Sequence, residues 1–228
     1  MPKHRTNALA NSETRRDRNP GAAQQITSRV EAYYSAKLAA HGPTARGVDW
    51  NSAESQQLRF RQLLKVCDDT ASFTLNDYGC GYGALADYLR EGGVSCCYSG
   101  FDISPRMIDK AKELHPGTVD TSFVGEEWLL SLADYTIASG PFNVKLETTV
   151  ADWEKYILEI LGAIDKISRR GFAFNMLTKY SDVKLMRPDL YYADPLIFFD
   201  HCKTHFSRFV TLLHDYPLYE FTILVKKE

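Results

Sequence analysis

From Phe73 onward the chain alternates short β-branched and aromatic runs with longer stretches of helical spacing. Residues 73–77, 97–102, 121–124, 135–139 and 171–177 read as strands. Helical periodicity fits residues 84–91, 105–114, a short stretch near 127–132, and 150–168. Strands that alternate with helices in this way imply βαβ units and a parallel sheet. The last helix of this series opens on Thr149 with Asp152 three residues on, a capping pattern. The C-terminal end breaks the rhythm. After a helix begun by Asp194-Pro195, two β runs, 209–215 and 220–226, are separated by only four residues, Tyr216 to Tyr219. Such a link is too short for a parallel crossover, so these two strands pair antiparallel.

Upstream, two further helices are expected. One covers residues 26–40, with Ile26, Val30, Tyr33, Tyr34 and Leu38 on one face, and stops at His41-Gly42-Pro43. The other starts at Asn51, with Glu54 completing a capping box, and ends before Asp68-Asp69. The loop between them carries Arg46, Gly47, Asp49 and an exposed Trp50. Residues 1–25 are basic and nearly free of large apolar side chains, so they read as a tail without a packed core. This divides the chain into a tail (1–25), an N-terminal helical cap (26–70) and a main domain (71–228).

The 228 residues suit one domain with a sizeable core, and no apolar run reaches the length of a membrane span. A formal net charge of −2 gives no global basic field, which weighs against a nucleic-acid partner. Five cysteines without framework spacing point to free thiols in a reducing cytoplasm. Cys96-Cys97 reads as two small residues on a buried strand.

The segment with most chemistry is Asp77-Tyr-Gly79-Cys80-Gly81-Tyr-Gly83, between the first strand and the following helix. Glycines serve where the backbone turns through positive φ or where a ligand meets bare main chain. Read as Gly79-x-Gly81-x-x-Ala84, the loop also fits the dinucleotide-binding fingerprint. Charge separates the two. A diphosphate at this turn would be repelled by Asp77, whereas S-adenosylmethionine (SAM) brings a sulfonium and an ammonium that a carboxylate attracts. One such contact is worth about 4 kcal/mol at a dielectric near 20, before desolvation. Asp77 through Gly83 resembles the glycine-rich motif of class I SAM-dependent methyltransferases, an acid followed after one residue by G-x-G-x-G, and the likeness extends over roughly residues 70–228.

That resemblance implies a Rossmann-like doubly wound α/β sheet of seven strands, order 3-2-1-4-5-7-6, the last antiparallel. It also implies SAM as methyl donor, with S-adenosyl-L-homocysteine as product and no metal required. Asp102, ending a strand 25 positions after Asp77, can accept two ribose hydroxyl bonds. Ile103, Ser104 and Met107 follow, with Met107 expected against the adenine. Gly125 and Glu126, after the third strand, are expected at the cofactor, with Glu126 accepting from the adenine amino group. Ser139-Gly140-Pro141-Phe142 borders the transferring methyl, but lacks the Asn/Asp-Pro half of the motif found in members that methylate amines of nucleic acids or glutamine, so that activity is not carried over.

Methyl transfer is an in-line displacement at a carbon already activated, so alignment matters most, with a base added if the acceptor must lose a proton. Acceptor recognition belongs to loops at the carboxyl ends of the strands. Arg46, Trp50, Asn143, Lys145, Lys179, Tyr180, Arg187, Tyr191 and Tyr192 are the candidates for acceptor binding, and Asn143, His214 and Tyr180 for catalysis. His201 and His205 share a helix face at metal-compatible spacing but have no third ligand. The expected acceptor is a small polar or anionic metabolite accepting at N, O or S. RNA or protein acceptors, or a SAM-binding protein without turnover, are the alternatives.

Overall fold

The computed structural model describes residues 20–67 and 72–227. Seven strands form one sheet in the order β3-β2-β1-β4-β5-β7-β6. They are β1 (Phe73–Tyr78), β2 (Cys96–Phe101), β3 (Thr121–Val124), β4 (Ala133–Ser139), β5 (Ser168–Leu177), β6 (Phe209–Leu213) and β7 (Glu220–Lys226). The first five run parallel, and β7 is antiparallel to both β5 and β6. This is the expected doubly wound sheet, including its terminal hairpin.

The helices are α1 (Pro20–His41), α2 (Ala53–Leu63), α3 (Ala84–Glu91), α4 (Pro105–Leu114), α5 (Val150–Lys166) and α6 (Pro195–His205). Alternation along the central strands feeds two cores. On β5, Phe172, Phe174 and Met176 face the layer of α1, α5 and α6, where Trp153, Ile157 and Phe198 are buried. Ala173 faces the other layer, with Leu63 of α2, Leu85 of α3 and Ile108 of α4. Burial on both faces explains why these strands read as nearly continuous apolar runs.

The cap differs in detail from expectation. Helix α1 begins at Pro20 rather than residue 26, because Ala22, Ala23, Gln24 and Gln25 are strong helix formers and proline suits a first turn; residues 1–19 of the expected tail lie outside the described residues. Helix α2 is capped one position later than Asn51. Ser52 Oγ accepts from Ser55 N–H at 3.2 Å, and Ser55 Oγ accepts from Ser52 N–H at 3.3 Å, so the box uses serine rather than Glu54. The expected stop at Asp68-Asp69 is outside the described residues. The short helix after β3 is a single 3-10 turn, Glu127–Leu129. Cys96 is half-buried and Cys97 exposed, since they stand at the outer end of β2.

One buried bond fixes the loop that leaves β4. Trp153, fully enclosed, donates from Nε1 to the Phe142 carbonyl at 2.9 Å. Trp153→Phe leaves that carbonyl unpaired and a gap beside it, and is expected to cost ~2–4 kcal/mol, read from the urea midpoint at unchanged m-value.

Candidate functional site

At the carboxyl end of the sheet, neighbouring β1 and β4 send their chains to opposite faces, which opens a crevice. Beyond Tyr78 the backbone passes through positive φ at Gly79 (85°), Gly81 (55°) and Gly83 (90°). Gly79 and Cys80 N–H both donate to the Phe101 carbonyl, at 2.8 and 2.9 Å, which moors the turn to β2. Gly79, Cys80 and Gly81 line the crevice. A Cβ on Gly81 would stand 3.0 Å from Val48 of the cap. Gly83 serves packing instead. Its Cβ would lie 2.7 Å from the His115 ring and 2.9 Å from Phe123, so it allows α3 to start against α4 and β3.

Two carboxylates line the same crevice. Asp77 is 2% exposed and accepts from the Tyr98 hydroxyl at 2.6 Å through Oδ2; its Oδ1 is buried without a partner. Burial lifts its pKa to about 7, against the lowering effect of Tyr98, and the nearby Asp102 charge adds to the rise. Asp102 accepts from Gly81 N–H at 2.9 Å and Ser104 N–H at 2.8 Å. Burial raises it to about 6 in spite of those two bonds. No cation pairs with either acid among the described residues. Such a site asks for a positively charged ligand.

Ile103, Met107 and Ser139 also line this crevice, and the Ser139 hydroxyl is a second buried group without a partner. Ser104 sits behind the wall, capping α4 through Met107 N–H and bonding Ser35 of α1 at 2.8 Å. Gly125 and Glu126 are not brought in: both are exposed on the turn after the short edge strand β3. The remaining walls come from residues that sequence reasoning did not single out for the donor: Val30, Tyr34 and Val48 of the cap, Gln56 and Phe60 of α2, Tyr82 after the glycine turn, and Tyr156 and Ile160 of α5. The helical stripe Ile26-Val30-Tyr34-Leu38 was the available signal, but it reads as core.

A second cleft adjoins the first and shares Tyr34, Val48 and Trp50 with it. Of the expected acceptor residues, Trp50, Asn143, Arg187 and Tyr192 line it. Trp50 is half-buried rather than exposed, because its ring lies on the Arg59 guanidinium at 3.8 Å and against Gly140, where a Cβ would fall 2.3 Å from it. Asn143 is buried. Its Oδ1 accepts from Leu177 N–H at 3.0 Å, and its carbonyl accepts from Tyr191 N–H at 2.8 Å. The Arg187 guanidinium is already held by Asp189, by Asp49 at 3.2 Å and by the Tyr33 hydroxyl at 3.0 Å, so it clasps the cap to the loop after β5.

The other candidates line neither crevice. Arg46 is exposed on the 3-10 turn Ala45–Val48. Lys145 donates to the Leu146 carbonyl, and Lys179 pairs with Asp194 at 2.6 Å. Tyr191 is buried, donating to Glu154 at 2.7 Å. Tyr180 and His214 are exposed and face one another with ring centroids 5.9 Å apart. His201 and His205 stack at 4.2 Å.

Comparison with known proteins agrees with the geometry. A Mycobacterium tuberculosis protein named "Putative methyltransferase Rv1506c" is 47% identical over 164 residues, which is 72% of this chain and 99% of that one. The N-methyltransferase NodS of Bradyrhizobium japonicum, solved with S-adenosylhomocysteine, superposes with a TM-score of 0.59 at 16% identity, over 86% of this chain and 97% of NodS. The plantazolicin methyltransferase BpumL gives 0.57 at 11% identity, over 90% and 100%. No family model matches the chain. The chain belongs to the class I SAM-dependent methyltransferases. SAM is its methyl donor, and the glycine turn, the two acids without counter-ions and the free Ser139 hydroxyl suit a ligand that carries cationic groups and a ribose.

Asp77 gives the sharpest test. Its folded pKa lies above the unfolded value, so its stabilising contribution is full below about pH 4 and lost as pH rises through about 7. Asp77→Asn, which can still accept from Tyr98, is expected to raise the melting temperature of the ligand-free protein at pH 8. The same variant loses the SAM-induced thermal shift.

Proposed function

We propose that this protein transfers the methyl group of SAM to an N, O or S atom of a small molecule of mixed polar and apolar character. One observation carries the reading: the second cleft, walled by the cap and reaching the donor crevice at Trp50. It is lined by Val144, Leu177, Leu185 and Leu190 beside Tyr192 and Tyr219. Its charged residues are two cations, Arg59 and Arg187, and two anions, Asp49 and Glu220, each cation bonded to one of the anions. A cleft so balanced suits a neutral acceptor better than the anionic one that Lys145, Lys179 and Arg187 suggest from sequence. Its walls, drawn from the cap as well as from the loops after β4 and β5, favour a metabolite over an RNA or protein chain.

SAM supplies an electrophilic methyl on sulfonium when bound. The protein's own share is placement. Gly79 and Gly81 offer bare backbone, Asp77 and Asp102 offer negative charge, and the Ser139–Gly140 turn forms the border with the second cleft. Tyr34, Val48 and Trp50 lie against both compartments and form the wall of their junction. Among the described residues no histidine lines the second cleft, and its two carboxylates are engaged, which fits an acceptor atom that reacts without a strong protein base.

Methyl-donor consumption with a metabolite panel, total RNA and a peptide library is expected to show turnover with a small molecule. Turnover confined to RNA or peptides would sink this reading. The donor site predicts a pH dependence as well. Asp77 must ionise to meet a cation, so raising pH from 6 to 8 should tighten SAM binding by about tenfold, with proton release on binding near pH 7. Calorimetry in buffers of different ionisation enthalpy measures both, and a flat profile would show that Asp77 does not face the cation.

A further inference from the structure

The corner where the two crevices meet is built as a closed circuit. Gly140 N–H donates to Asn175 Oδ1 at 2.8 Å. Asn175 Nδ2 donates to Glu220 at 2.6 Å. Glu220 receives Nε and Nη2 of Arg59, Nε at 2.8 and 2.9 Å to the two carboxylate oxygens. The Arg59 guanidinium then stacks on Trp50, and the Trp50 ring returns to Gly140. Three strand ends and one cap helix are thus locked around a single glycine.

Two donors are left over at this corner. The Arg59 fork is committed through Nε and Nη2, and Nη1 is sealed from water with no partner, on a residue only 5% exposed. Asn143 uses its oxygen on Leu177, and its Nδ2 is likewise sealed and unpartnered, on a residue 4% exposed. That nitrogen lies 3.4 Å from the position a Gly140 Cβ would take, beside the Trp50 ring. Both residues line the second cleft and neither lines the donor crevice. A buried N–H without an acceptor costs about 1–3 kcal/mol, and two of them on residues that line one cleft mark where a ligand oxygen would be held.

We infer that the methyl acceptor carries a hydrogen-bond-accepting oxygen, of carbonyl or amide type, that binds Arg59 Nη1 and Asn143 Nδ2 beside Trp50. This rests on the second cleft being the acceptor site and deepens that reading by naming the recognised group. Glu220 and Asn175 act as positioning residues. They neutralise Arg59 and aim it, so the site offers donors without offering net charge. A neutral planar group next to the Trp50 ring satisfies both donors and leaves the charge balance intact.

The test uses the full chain saturated with S-adenosylhomocysteine, with benzamide as oxygen-bearing probe and ethylbenzene as apolar control of similar shape, titrated by saturation-transfer NMR. Two variants remove the unpaired donors. Asn143→Asp is near-isosteric, loses Nδ2 alone and keeps the oxygen that accepts from Leu177, so it decides the outcome. Arg59→Lys keeps a cation beside Glu220 but gives up the guanidinium fork and its stack on Trp50 along with Nη1. Benzamide is expected to bind the wild type better than ethylbenzene, and each variant to weaken it at least about fivefold while S-adenosylhomocysteine affinity stays the same. Equal binding of the two probes, no benzamide binding, or variants that bind benzamide as wild type does would overturn the inference. Benzamide held by both donors while methyl transfer occurs only on macromolecules would instead remove the reading of the cleft as a small-molecule acceptor site, which separates the two failures.

Discussion

Two carboxylates buried within one crevice, with no cation beside them, are an electrostatic strain that the fold has to carry. Desolvation alone lifts Asp77 and Asp102 toward neutrality, and their proximity makes ionising both harder still. The protein keeps them in place with fixed dipoles rather than with counter-ions: the Tyr98 hydroxyl on one, and the Gly81 and Ser104 amides on the other. That choice leaves the negative potential available to a ligand. A lysine or arginine there would have stabilised the empty protein and cancelled the attraction for SAM.

The frame that bears this strain is a sheet buried on both faces. Phe172, Phe174 and Met176 on one side and Ala173 on the other place β5 at the centre, and β7 seals it from the C-terminal end. Because the central strands are fixed from both layers, the turns leaving β1 and β4 start from fixed points, and glycine at 79, 81 and 140 lets them take positive φ without strain. The cap then closes over those turns. Arg187 bridges Asp49 to Asp189, and Ser35 meets Ser104, so the cap is tied down by polar contacts at its edges and by Val30 and Leu38 beneath.

Much of this was legible in the residues. Alternating runs from Phe73 onward implied the parallel sheet, and the short link from Tyr216 to Tyr219 excluded a crossover at its end. Asp77, Gly79, Gly81 and Asp102 were legible because their chemistry is local: a turn needs positive φ within a few residues of a charge. The donor contact expected of Gly125 and Glu126 rested on a position after the third strand. That strand, 121–124, is where the sequence put it, but it lies at the sheet edge and the turn after it is exposed, so neither residue lines the crevice. Least legible were residues joined only by the fold. Arg59 and Glu220 are 161 positions apart, and nothing in a helix stripe or a strand end announces that they pair. The same holds for the cap residues Tyr34 and Val48, whose side chains look like ordinary core until the glycine turn is folded beneath them.

Val48 rests where a side chain on Gly81 would be, so the segment 20–67 is physically seated on the main chain that receives the donor. Any free energy by which a bound nucleoside tightens this seat must reappear, by thermodynamic reciprocity, as resistance of the N-terminal helices to local opening. Ligand affinity and the ordering of that segment are therefore two readings of one equilibrium, and a substitution that loosens the helices lowers occupancy of the crevice even where it touches no ligand atom.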